Sequence, residues 1–184
     1  MGAARDGDVA IVARFRATAG VERDAAFGEI FEVHRSQVFA LCLRLCGERA
    51  LAEDALQETF LEIYRSLSRF RGDAQLGTWI HRIALRTALH VRARQPATPT
   101  ASIPSAGPHE AAGSDPNPVL AAREHVRRVQ AAFDLLPAEQ RAAIALFSVD
   151  GLTQLEIAAI LGIPEGTVWS RLHKARRALA AALA

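Results

Sequence analysis

Residues 152–177 read LTQLEIAAILGIPEGTVWSRLHKARR, and their spacing predicts two short helices meeting at a tight turn. Thr153 and Glu156 stand three apart, as in a capping box, where hydroxyl and carboxylate exchange hydrogen bonds with amides that the first turn leaves unpaired. Leu155, Ala158, Ala159 and Leu161 supply an apolar face to this first helix. Gly162 stops it, because glycine takes the left-handed conformation beyond a helix end without steric cost. Ile163 fills the gap between the helices. Pro164 restarts the chain with a preset φ, and Glu165 suits the positive end of the new helix.

At about 100° per residue, Val168, Leu172, Ala175 and Leu179 fall in one narrow stripe of the second helix, its buried side. Ser170, His173, Lys174 and Arg177 fall opposite, with Trp169 and Arg176 along one edge. A helix locked against its partner and presenting a hydroxyl and cations outward suits the DNA major groove. A solvated basic face on an ordinary helical hairpin is the plainer alternative. The coincidence of cap, turn glycine and basic face favours DNA. The candidate contacts on this helix are Trp169, Ser170, Arg171, His173, Lys174 and Arg177.

The whole chain has 184 residues, half of them hydrophobic, with few aromatics and no alternating strand pattern. The expected class is all-α. A net charge of only +2 excludes a histone-like binder; the basic residues are patterned locally instead. No apolar run approaches the roughly 20 residues that span a bilayer. The N-terminus lacks the regions of a signal peptide, and Asp6 breaks a myristoylation motif, so a cytoplasmic location is expected. Cys42 and Cys46, one turn apart, invite a redox pair or, with His34, a partial metal site. Small core side chains are the commoner outcome, a structural zinc site wants four ligands, and no cofactor or metal is expected.

Along the chain, a helix is expected over Val9–Ala17. Another, capped by Asp24, carries Phe27, Ile30, Phe31 and His34 on one side, and a third covers Val38–Cys46 and ends at Gly47. In a fourth, Leu51–Leu67, Leu56, Phe60, Ile63 and Leu67 form the apolar stripe. Asp54, Glu58, Leu61, Glu62 and Arg65 lie opposite, flanked by Gln57 and Tyr64. Catalytic carboxylate pairs need a pocket that separates their pKa values, and no pocket pattern is visible. An exposed leucine among acids fits protein docking better. Thr78 is the expected cap of a helix to about Ala93, with Ile80, Ile83, Ala84, Thr87 and Val91 inward. Arg82, Leu85, Arg86, Leu89 and Arg92 face outward. Arg82 and Arg86 are like charges four apart, tolerable beside a polyanion. Phe70, Arg71 and Trp79 add stacking surface and charge suited to single-strand binding, although Trp79 fits a core position equally well.

Residues 95–118 hold most of the prolines among Ala, Ser and Thr, a composition expected to form an extended linker between domains 1–94 and 119–184. The second domain opens with a helix over Leu120–Leu135, Val126, Val129 and Phe133 inward. A helix from Pro137 follows, with Ile144, Ala145 and Phe147 apolar, ending near Gly151.

The segments AEDALQETF (52–60), FRGDAQLGTWIHRIAL (70–85) and LPAEQR (136–141) followed by 151–176 resemble bacterial RNA polymerase sigma factors of the extracytoplasmic-function group, in order and spacing. The resemblance covers roughly residues 24–94 and 122–180. It implies docking of the first domain on the clamp coiled coil of the polymerase β′ subunit through Asp54, Gln57 and Glu58, next to the exposed Leu61. It also implies capture of the non-template strand of the minus-ten element between Arg71 and Arg92, giving Arg71, Trp79, Arg82, Arg86 and Arg92 as candidates. The second domain would read minus-thirty-five promoter DNA and dock on the β flap, and an anti-sigma factor would hold the protein inactive. Phe60 matches the docking motif but lies in the apolar stripe, so it reads as core. Two positions depart from the family pattern: Arg86 replaces a frequent asparagine, and Trp169 a lysine or arginine. A stand-alone helix-turn-helix regulator would explain 152–177 but not the acidic face or the arginine-rich helix, and such proteins usually dimerise. A nucleic-acid enzyme finds no P-loop, metal-ligand cluster or nucleophile motif.

Overall fold

The computed structural model describes residues 2–94, 118–149 and 152–184. The expected linker, apart from Pro118, and Gly151 lie outside the described residues. Every regular element among the described residues is helical: α1 (Gly2–Ala17), α2 (Gly20–Cys46), α3 (Arg49–Ser66), a 3₁₀ turn (Leu67–Arg69), α4 (Leu76–Arg94), α5 (Pro118–Asp134), α6 (Ala138–Phe147), α7 (Gln154–Leu161) and α8 (Glu165–Leu183).

In the N-terminal group, α2, α3 and α4 pack on one another and α1 lies along α2. The two helices expected over 24–46 are one, α2, because no proline or glycine interrupts the chain between them. Asp24 is not a cap; it lies inside α2 and accepts a hydrogen bond from the Tyr64 hydroxyl at 2.8 Å. The helix stops at Gly47, whose φ of 76° is the left-handed conformation glycine favours and whose N–H donates to the Leu43 carbonyl. The same glycine admits a neighbour, since a Cβ there would lie 2.7 Å from the Gln130 side chain of α5. Thr78 does not cap α4 either; the helix already starts at Leu76, and Thr78 is buried within it. Ile80, Ile83, Ala84, Thr87 and Val91 are buried as the periodicity requires.

In the C-terminal group, α6, α7 and α5 pack against α8. Thr153 and Glu156 close the capping box on α7, the amide of Glu156 donating to the threonine hydroxyl at 3.2 Å. Gly162 ends α7 at φ 65°. The rotation of α7 differs from the expected one: Ile157, Ala158 and Ile160 are buried, whereas Leu155 is 67% exposed. An eight-residue helix that is apolar nearly all round has no face its sequence can single out, so packing decides. Val126 likewise points to solvent, because the buried positions of α5 lie in its last turns, at Ala132 and Phe133. The stripe of α8 is as read, with Val168, Leu172 and Ala175 buried.

The two groups meet along α4–α7 and α2–α6, and buried residues of both form one continuous apolar cluster. Polar contacts close the seam. The Arg82 guanidinium donates to the Ala159 carbonyl at 3.1 Å, and Arg92 pairs with Asp134 at 2.9 Å.

Candidate functional site

The first candidate surface lies where α3 crosses the end of α4. Asp54 stands three and four residues before Gln57 and Glu58, and Leu61 four and three after them, so all four share one side of α3 and together line a shallow groove of about 280 Å³ closed by Leu51, Val91 and Arg94. Asp54 and Gln57 are exposed, and Leu61 is 54% exposed, an apolar side chain left in water between acids. Glu58 is half-buried and accepts from Arg94 at 2.8 Å. One turn on, Glu62 pairs with Arg86, so two ion-pair rungs join α3 to α4. Phe60 is buried, packed on Phe31 with ring centres 4.7 Å apart.

The second surface comprises the 70–76 loop and the outer edge of α4. Arg71 is exposed. Trp79 is half-buried against Phe70, ring centres 5.2 Å apart, so it is both a core wall and an accessible face. The arginines of α4 are engaged within the molecule: Arg82 with Ala159, Arg86 with Glu62, and Arg92 with Asp134 and the Leu45 carbonyl. A feature sequence reasoning missed is the wall that α1 gives this loop. Asp8 and Val9 line a cavity of about 300 Å³ with Phe70, Asp73 and Gln75, and Arg16 donates to the Phe70 carbonyl. Burial pushes the Asp8 carboxyl above its usual range. No local pattern announces this contact, which joins residues more than fifty positions apart.

The third surface is α8. Trp169, His173, Lys174 and Arg177 are exposed, and Ser170 is half-buried with its hydroxyl donating to the Thr167 carbonyl at 3.0 Å. Arg171 is turned toward α6, in an ion pair with Glu139 at 2.7 Å, with its side chain only 20% exposed. Arg176 lies over the Phe147 ring at 4.6 Å. The Trp169 and His173 rings stack in parallel, 7° between planes and 5.5 Å between centres.

Among the described residues there is no group of three or more His, Cys, Asp or Glu able to hold a metal ion. Cys42 and Cys46 are buried free thiols; burial pushes them to about 12 and about 11, which leaves both protonated near neutral pH. No described helix is long and apolar enough to cross a membrane.

Both helical groups match known family models. Residues 30–97 match the model of sigma-70 region 2, and residues 127–179 that of sigma-70 region 4. The ECF RNA polymerase sigma-E factor of Salmonella typhimurium is 38% identical over 134 residues, covering 68% of this chain and 70% of that protein. The ECF RNA polymerase sigma factor SigE of Mycolicibacterium smegmatis is 36% identical over 169 residues, 90% of this chain, which spans 64% of that relative's length. Among solved structures, the sigma factor RpoE in complex with the anti-sigma factor NepR from Bartonella quintana superposes with a TM-score of 0.59 and 25% identity, over 85% of this chain and 96% of that one. The chain belongs to the ECF RNA polymerase sigma factors.

Proposed function

We propose that this protein docks on core RNA polymerase and directs it to a promoter, gripping the DNA at two points. The α3 groove takes the β′ clamp coiled coil, the α4 edge with the 70–76 loop takes the displaced strand of the minus-ten element, and α8 enters the major groove of the minus-thirty-five element. The C-terminal group also meets the β flap. The observation that carries the reading is that Asp54, Gln57, Glu58 and Leu61 line a single groove, with the acids and an exposed leucine presented together. Polymerase docking is what separates this reading from a stand-alone regulator.

The work is binding rather than catalysis. Extruding a base costs a few kcal/mol. Stacking on Phe70 and Trp79, at about 1–3 kcal/mol per base, and phosphate contacts from Arg71 offset that cost. The α4 arginines join only by exchanging their present partners for phosphate, so strand capture is coupled to rearrangement along α4. An anti-sigma factor, as in the complex of the Bartonella relative, would compete for these surfaces. The site of action is the cytoplasm, beside the polymerase.

Reversing both charges, Asp54→Lys with Glu58→Lys, is expected to abolish retention on immobilised core polymerase while the far-ultraviolet circular dichroism stays unchanged. Asp54 is exposed, and the partly exposed Glu58–Arg94 pair is worth only about 0.2–1 kcal/mol, so the fold survives the change. Normal retention of the double variant would sink the docking assignment.

A further inference from the structure

We propose that Trp169 and His173 form a preordered aromatic step that reads a thymine methyl group in the upstream promoter element. The inference rests on the reading of α8 as the recognition helix. Trp169 lies five residues beyond the Pro164 cap, in the N-terminal part of the helix that contacts base edges in helix-turn-helix docking. It is 60% exposed, a large side chain left in water on the edge beside the outward face that carries His173 and Arg177.

Its conformation is already set. The indole stacks on the imidazole one turn on, at 7° between planes, so little rotamer freedom remains to be lost on binding. Arg176, next along the same edge, is drawn over Phe147 and leaves the aromatic step uncovered. The indole offers one N–H donor and no acceptor; the rest of its surface is apolar. In the major groove the apolar feature among the base edges is the thymine C5-methyl, which apolar side chains contact, whereas lysine and arginine select guanine O6 and N7. An aromatic step here therefore selects thymine at one base pair, while Lys174 and Arg177 remain available for phosphate or guanine.

The test uses core polymerase reconstituted with the full chain and a promoter library randomised over the upstream element, with bound sequences counted. The wild-type holoenzyme is expected to enrich thymine at one position. Trp169→Lys is expected to move that preference to guanine by about tenfold and leave neighbouring positions unchanged. On a single selected promoter, deoxyuridine in place of that thymine, which removes only the methyl, is expected to weaken the wild type about fourfold and Trp169→Ala not at all. Because Trp169 lies outside the core, these variants keep the fold, and Trp169→Phe should retain a weaker thymine preference.

A loss in Trp169→Ala that is uniform over all sequences would mark a phosphate contact and overturn the assignment. So would unchanged base selection with weakened polymerase retention, which would mark a protein contact. If the wild-type holoenzyme enriches no upstream sequence at all, the recognition-helix reading fails, and this inference falls with it. Enrichment with no response to deoxyuridine sinks the methyl assignment alone.

Discussion

His34 of α2 and His81 of α4 are both buried, near enough that charge on one disfavours charge on the other. His81 Nδ1 donates to the Gly77 carbonyl at 2.7 Å, while His81 Nε2 and His34 Nδ1 have no partner. Burial first, and the neighbouring His81 second, lower His34 to about 4; burial also lowers His81. Both rings are therefore neutral in the folded protein at neutral pH. Between about pH 6.5 and 4 the unfolded chain binds a proton at His34 that the native state refuses, so stability is full above that window and falls as the pH falls. At about 1.4 kcal/mol per unit, the loss is on the order of 3 kcal/mol for His34. Urea midpoints measured at pH 7 and 4.5 should drop for the wild type and drop less for His34→Leu. Equal slopes for the two proteins would refute the assignment.

At the scale of the element, α7 depends on its ends more than on its length. Eight residues are too few for an independent helix, so the capping box and the packing on α8 and α4 must hold it. Thr153→Ala removes the acceptor for the Glu156 amide and is expected to cost about 1 kcal/mol, read from the denaturant midpoint at unchanged m value. Gln154→Ala, one position on and outside the box, should leave the midpoint nearly where it is. This cap was legible in the residues because it joins groups three apart. The rotation of α7 was not, because it answers to α4 and α8, and Leu155 consequently ends in solvent. The long α2 shows the converse: Asp24 has the chemistry of a cap, yet Tyr64, brought over it by α3, takes its carboxylate.

Over the whole molecule, the contacts that close α4 onto the second helical group use the arginines proposed to meet DNA. Arg82 is held by Ala159 and Arg92 by Asp134. The Arg92–Asp134 pair is partly exposed, 25% and 39%, so its worth is about 0.2–1 kcal/mol after solvent screening. Asp134→Ala should accordingly raise the population of separated groups by a factor of about 1.5 to 5. Single-molecule energy transfer between dyes on α3 and α8 would show a larger low-transfer fraction. An unchanged distribution would mean that the apolar seam alone sets the arrangement.

The residues alone determined the all-helical class, the turn at Gly162 and the buried stripe of α8, because each rests on chemistry within a few positions of chain, and the family, because its motifs are contiguous segments in a fixed order. The same local periodicity put Asp54, Glu58 and Leu61 on an outer face of α3. Tertiary structure decided what those faces meet. Arg82 reaches a carbonyl 77 positions away, α1 comes to wall the 70–76 loop, and Arg171 leaves the basic set for Glu139. Periodicity specifies direction around one helix axis; which helix lies opposite, and which charge it offers, follows only when the whole chain has packed.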